Sequence, residues 1–377
     1  MPTVEELRIR GELGGRTVQV TAAGAVECIT LEPAPLAEGH IRIRTVRSAL
    51  SPGTEATFVG RSATNVHLTR RWNDELRLFE EGPSATALPM PFGYRAAGVV
   101  VESAAEAVPT GARIWGNWRH TELVVLSVAQ AASQVLPDAL GWDDGVDIGQ
   151  MGPIALNAAA FGVDEAAGRP AVVLGAGPIG LLTAQVIRAA GVGPVVVIDR
   201  LAGRLRIATD LGFTTIDGSS TDVAVAIKQR WGTDGVPVAW ECSGAVPALA
   251  DAIRTVARKG LVVAVGFYQG GAEQLRLGDE FHHNGVRVAS AQIGNPFGSL
   301  TRRDLQERTL DLAVRGDLVL GGLPRVVLPV TEVAEAFAAL RRPDEVLQVA
   351  LDYADTAAGS IAASRSSSQR LAGSPPP

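Results

Sequence analysis

One segment constrains this chain more than any other. An apolar run, Ala171-Val172-Val173-Leu174, is followed at once by Gly175-Ala176-Gly177-Pro178-Ile179-Gly180, and residues 179–190 then continue at helical spacing. A strand, a glycine turn and a helix in that order form a phosphate-binding unit of a parallel sheet. Gly175 permits the tight turn, Gly177 lets a pyrophosphate approach the backbone, and Gly180 lets the helix pack against the strand. Pro178 and Ile179 complete the turn and open the helix, whose free N–H groups face the phosphates. The next strand, residues 195–198, ends in Asp199, 19 positions after Gly180. A carboxylate there accepts ribose hydroxyls and repels a 2′-phosphate, which favours NAD(H) over NADP(H). Arg200 and Arg204 follow, and an arginine nearby can accommodate a 2′-phosphate or lie on a solvated helix face. Two later strand ends fit the same site: Cys242-Ser243 after residues 238–241, and Gly266-Phe267 after residues 261–265. Cys242 reads equally well as a small core residue.

Around this unit, buried strands alternate with helices over residues 171–289, the pattern of a doubly wound parallel sheet. Upstream, residues 17–20, 26–31, 41–47, 97–101 and 121–126 read as strands of a small β-rich domain. Downstream, residues 302–314 and 330–340 read as helices, and 326–328 and 346–351 as strands returning to that domain. At 377 residues the chain has room for two domains. The expected division is 1–150 and 296–353 for a split β-rich domain, 151–295 for the nucleotide-binding domain, and a disordered Ala-, Ser- and Pro-rich tail over 354–377. The net charge of −6 supplies no concentrated positive field for nucleic acid. The two cysteines, Cys28 and Cys242, exclude a disulfide framework and a four-thiolate metal site. The absence of an apolar leader and of any apolar run near the ~20 residues that span a bilayer leads to the expectation of a cytoplasmic protein without a membrane partner.

The segments Ala49-Leu50-Ser51-Pro52-Gly53-Thr54-Glu55, Gly93-Tyr94-Arg95-Ala96-Ala97-Gly98-Val99-Val100 and Gly111-Ala112-Arg113-Ile114, with the glycine turn, resemble the medium-chain dehydrogenase/reductase superfamily. The resemblance spans about residues 5–353. It implies a GroES-like catalytic domain split around a Rossmann domain, a homodimer, and hydride exchange between a nicotinamide and a small-molecule substrate. Zinc-dependent members carry metal ligands where this chain has Ser51, Tyr94 and about Gln150. Those three are neutral oxygen donors, poor substitutes for thiolate, imidazole or carboxylate. The family's four-cysteine lobe has no counterpart either. A zinc-independent enzyme is the expectation.

Without a metal, hydrogen-bond donors must stabilise charge at the substrate oxygen, or the substrate must carry its own electron sink. Tyr94 is the first candidate proton donor, or it fills the vacated cavity. Thr54 resembles the family's hydroxyl relay. Glu55 either orients it, binds a substrate hydroxyl or pairs with Arg95. His120 is a candidate acid/base or a satisfied strand histidine. His282 and His283 in an extended segment would point to opposite sides, at a dimer interface. The 37 residues between Glu55 and Gly93 carry Leu68, Trp72, Leu76 and Phe79 at helical spacing, which predicts an amphipathic helix serving as a lid or as a surface element. The favoured reaction interconverts a secondary alcohol and a ketone on a polar or cyclic molecule. Reduction of an activated C=C or C=N bond, and a non-catalytic NAD-binding sensor, are the alternatives.

Overall fold

A computed structural model describes residues 12–354 apart from residues 63, 83, 85 and 274. The tail from residue 355 onward, expected to be disordered, lies outside the described residues, as do residues 1–11. The strands are β1 (Leu13–Val20), β2 (Val26–Leu31), β3 (His40–Ala49), β4 (Arg71–Asn73), β5 (Leu78–Glu80), β6 (Met90–Pro91), β7 (Ala96–Glu102), β8 (Arg113–Gly116) and β9 (Thr121–Ser127). They continue with β10 (Ala171–Leu174), β11 (Val195–Asp199), β12 (Thr214–Asp217), β13 (Val236–Glu241), β14 (Val256–Ala264), β15 (Arg287–Ser290), β16 (Arg325–Pro329) and β17 (Gln348–Asp352). The helices used below are α1 (Trp142–Ile148), α2 (Met151–Ala160), α3 (Pro178–Ala189), α4 (Ala202–Asp210) and α5 (Arg302–Val314).

Two sheets carry the molecule. The first runs β16–β17–β3–β9–β1–β2, with β6 on β1 and with β7 between β3 and β8. Its closing strands, β16 and β17, come from the far end of the sequence, and β17 pairs antiparallel with β3 through Ala350 and Ala49. Gly98 makes the β3–β7 contact possible, since a Cβ there would stand 2.4 Å from the Arg44 carbonyl. Ile41, Ile43, Val100, Ile114 and Trp118 fill the core beneath.

The second sheet is all parallel, in the order β12–β11–β10–β13–β14–β15. All four residues of β10 are buried because helices cover both faces, which is why the run reads as continuously apolar. The strand order reverses between β10 and β13, and α3 begins there. In such sheets the crevice at that reversal is where ligands bind. This is the α/β architecture expected from the sequence, a GroES-like β-rich domain split around a Rossmann sheet.

Three local expectations are corrected. The segment after Glu55 holds no long amphipathic helix. It forms one helical turn, Val66–Thr69, and the β4–β5 hairpin, in which Trp72 and Phe79 are direct cross-strand partners with ring centroids 4.9 Å apart. Cross-strand aromatic pairing makes a hairpin of residues whose spacing also suits a helix. His282 and His283 lie in a helical turn ended by Gly285 at φ 60°, not in an extended segment, and their rings meet edge to face at 5.8 Å. Arg95 does not pair with Glu55; its guanidinium is buried against Asp147 at 2.6 Å.

Candidate active site

At the glycine turn the chain leaves β10 and enters α3. Gly175 sits at φ 96°, in the left-handed region, and a Cβ there would meet the Ser243 amide at 2.8 Å. A Cβ on Gly180 would lie 1.7 Å from the Gly175 carbonyl oxygen, so only glycine fits. Gly177, the residue capping α3, is different. A Cβ there would meet nothing nearer than Arg204 Nη1 at 3.6 Å. The space over Gly177 is an open cradle with a guanidinium at its edge, and Arg204 Nε is buried with no hydrogen-bond partner among the described residues.

Asp199 closes the cradle. One carboxylate oxygen accepts from the Ala176 amide at 2.6 Å, and the other from the amides of Arg200 and Leu201 at 2.7 and 2.9 Å. The carboxylate therefore ties the end of β11 to the glycine turn. These residues fit a dinucleotide: an open phosphate cradle, an unpartnered cation beside it and an acidic strand end. Arg204 thus reaches the phosphate turn, while Arg200 meets Asp199 through its backbone amide.

The later strand ends behave less uniformly. Ser243 donates from its amide to Glu241 Oε1 at 2.8 Å, and its hydroxyl bonds the same oxygen. Gly266 packs on Gly244, where a Cβ would meet backbone at 2.2 Å. Phe267 is exposed and tilts toward His67 with centroids 6.1 Å apart. His67 is exposed in the Val66–Thr69 turn, and its ring lies between those of Phe79 and Phe267, next to the chain that follows β14. Cys242 does not line the open face. It packs behind the turn near Gly180 and Thr183, where burial pushes its thiol pKa up.

The second half of the site lies around Tyr94. Burial pushes its phenol up to about 12, the Glu55 charge adds to the rise, and hydrogen bonds with Ser51 and Thr54 oppose it. Glu55 is held in place by two contacts: Oε2 accepts from the Ser51 amide at 2.7 Å, and Oε1 faces His120 Nε2 at 3.2 Å. His120 is fully buried, with Nδ1 2.8 Å from the Ser48 hydroxyl. Its ring thus bridges Glu55 on one side and Ser48 on the other. Gln150 Oε1 accepts from Arg302 Nη2. Arg302 was not among the residues singled out from the sequence. It also donates to the Gly149 carbonyl at 3.3 Å.

This arrangement is supported from behind. Asn117 donates to the Tyr94 carbonyl at 2.8 Å, and Gln306 of α5 donates to Asn117 Oδ1 at 3.2 Å and to the Gly149 carbonyl at 3.0 Å. Gln269 reaches from the parallel sheet to the Gly53 carbonyl at 3.0 Å. A cavity of ≈ 990 Å³ opens beside Tyr94, and Gly93, Asn117, Arg119, Leu126 and Gln130 are among the residues that line it. Among the described residues no three His, Cys, Asp or Glu side chains are grouped as metal ligands.

The family model for zinc-binding dehydrogenases matches residues 178–315. D-guloside 3-dehydrogenase of Escherichia coli K12 is 26% identical over 316 residues, covering 79% of this chain and 88% of that one. (R,R)-butanediol dehydrogenase of Bacillus subtilis is 32% identical over 182 residues, 48% of this chain and 49% of its own length. The solved 2R,3R-butanediol dehydrogenase from Bacillus subtilis superposes with a TM-score of 0.69 at 20% identity, covering 89% of this chain and 99% of that one. The split β-rich domain, the Rossmann sheet and these relatives define an oxidoreductase fold with a dinucleotide crevice. Together the matched family model and these relatives support an alcohol-dehydrogenase-like oxidoreductase of the medium-chain dehydrogenase/reductase superfamily.

Proposed function

We propose that the protein is an NAD(H)-dependent, zinc-independent oxidoreductase that interconverts a secondary alcohol and a ketone on a polar or cyclic small molecule. The observation that carries this reading is the phenol of Tyr94, set beside Ser51, Thr54 and Glu55 at positions that resemble a zinc site in relatives. Serine, tyrosine and glutamine are weak zinc donors, and the Arg302 cation on Gln150 makes the same spot inhospitable to a metal ion. The names of the relatives, a guloside and a butanediol dehydrogenase, support a hydroxylated substrate.

NAD(H) would lie over Gly177, with Arg204 and the α3 N-terminus toward its phosphates and Asp199 toward the adenosine ribose. Bound there, it supplies the hydride acceptor or donor. The chain's own groups handle the oxygen. The Tyr94 phenol, fully protonated at neutral pH because burial raises it, donates its proton to the oxygen during reduction and recovers one during oxidation. Thr54 and Ser51 connect that phenol to the cleft by their hydroxyls. Glu55, pinned by the Ser51 amide and by His120, keeps the loop that carries them in one conformation.

The test is a panel of cyclic and acyclic polyols and their ketones, assayed with NAD(H) and NADP(H) before and after dialysis against 1,10-phenanthroline. Turnover that prefers NAD(H) and survives chelation is expected. Activity lost on chelation and restored by Zn²⁺ would overturn zinc independence.

A further inference from the structure

We propose that Arg302 is a catalytic residue, its guanidinium supplying at the substrate oxygen the positive charge for which Ser51, Tyr94 and Gln150 hold no metal. This rests on the alcohol–ketone reading above. Three observations carry it.

The first is position. Arg302 Nη2 is bonded to Gln150 Oε1 and to the Gly149 carbonyl, which also accepts from Gln306; Gln306 donates to Asn117, and Asn117 donates to the Tyr94 carbonyl, so one hydrogen-bond chain joins the cation to two of the positions that resemble the family's metal ligands.

The second is the lack of a counter-charge. Most other arginines around the site are matched: Arg95 with Asp147 at 2.6 Å, Arg325 with Asp147 at 2.9 Å, and Arg47 with Asp352 at 2.8 Å. Its neighbour Arg303 bonds Glu307 at 2.8 Å. Arg302 has no carboxylate partner among the described residues. Its protein partners there are two neutral carbonyl oxygens, both held by Nη2, and its Nε and Nη1 donors are left for a ligand.

The third is local cost. Arg302 is the first residue of α5, after the Thr301 cap. A cation in the first turn of a helix opposes the helix dipole, which favours anions there. The capping box of Thr301 and Asp304 starts the helix without it. A side chain that breaks a local rule and gains no ion pair in return points to function.

An arginine suits the task. It stays charged at every working pH, and its planar fork can present two donors to one developing alkoxide. Arg302 exchanges no atom or proton in this role; it lowers the energy of negative charge on the oxygen while Tyr94 moves the proton.

The experiment compares wild type with Arg302→Gln and Arg302→Lys. Acetate, an oxyanion probe, is titrated into the cofactor-free protein by calorimetry. NADH affinity is measured by fluorescence, and kcat and KM are measured on the best substrate of the panel. For Arg302→Gln we expect acetate affinity to fall at least about tenfold and kcat to fall about 10²-fold or more, with NADH affinity unchanged. The lysine variant should keep part of both. Acetate affinity unchanged in Arg302→Gln would overturn the proposal. So would a kcat within about threefold of wild type, or a loss matched by an equal loss of NADH affinity. If wild type turns over no alcohol or ketone, the functional reading fails, while the acetate comparison still decides whether Arg302 forms an oxyanion site.

Discussion

Asp147→Asn is the perturbation whose magnitude the structure sets most directly. Asp147 side-chain exposure is 1%, and its two oxygens serve two arginines: Oδ1 meets Arg95 Nη2 at 2.6 Å, and Oδ2 meets Arg325 Nη2 at 2.9 Å. Those arginines are themselves 1% and 3% exposed. Asparagine keeps the shape, but it removes the charge and turns an N–H₂ group toward one guanidinium. Breaking a buried ion pair from one side costs about 3–5 kcal/mol, because the remaining charge stays buried and unmatched. Arg325 keeps Asp143 at 3.2 Å, so Arg95 is the cation left without a carboxylate and the loss should sit near the middle of that range, about 4 kcal/mol. That is a large share of a total near 5–15 kcal/mol. Urea unfolding followed by circular dichroism measures it, with Asp317→Asn as the control. The Asp317–Arg315 pair is exposed, and its loss should cost below about 1 kcal/mol. A double variant, Arg95→Met with Asp147→Leu, should recover part of the loss, as apolar replacements of buried pairs do. If Asp147→Asn costs no more than the control, the buried network is not what ties the Tyr94-Arg95 segment to α1.

Gly180→Ala forces a Cβ to 1.7 Å from the Gly175 carbonyl, so the turn must move; we expect NADH binding below detection by fluorescence titration and a lowered thermal midpoint. Arg204→Ala should weaken NAD⁺ and NADH alike by about 1.5–3 kcal/mol, roughly 10- to 100-fold by calorimetry, as befits a contact to phosphate rather than to the adenosine ribose. Tyr94→Phe should lower kcat by about 10²-fold or more with NADH affinity unchanged. The same variant tests the phenol's environment. The folded pKa of about 12 exceeds the ordinary 10.0, so the folded chain keeps a proton that the unfolded chain releases. The associated stability is intact below pH 10 and is lost as the pH climbs to about 12. Denaturation midpoints across that window should fall less steeply in Tyr94→Phe than in wild type.

The parallel sheet was legible because its signals are local and agree with one another. The residues of β10 are apolar because both faces are covered, the three glycines follow without a gap, and α5 occupies Arg302–Val314 as its period predicts. The inserted segment was not legible. Leu68, Trp72, Leu76 and Phe79 satisfy a helical period, yet only the cross-strand pairing of Trp72 with Phe79 decides their geometry, and Leu76 ends up exposed at the hairpin tip. A periodicity argument counts positions along one strand and cannot see the partner across a turn. Arg95 shows the same limit in charge. Glu55 is the nearer acid in the sequence motif, but Asp147, on α1, is the one the fold brings to 2.6 Å.

For the site, the motif residues and Arg302 came from different kinds of information. Ser51, Thr54, Glu55, Tyr94 and Gln150 stand out because the superfamily pattern has places for them. Arg302 has no such place. It sits 152 positions from Gln150 along the chain and reaches it only because α5 folds back over residues 149–150. Its one local signal was adverse: two arginines directly after a threonine cap, where a helix prefers acids. Arg303 removes half of that anomaly by pairing with Glu307 four residues on. Arg302 keeps its half, with no anion to answer it among the described residues. An unbalanced charge that folding brings to a set of neutral donors is a property of the assembled cleft. On the role proposed for Arg302, that charge takes the place of a metal ion at the substrate oxygen.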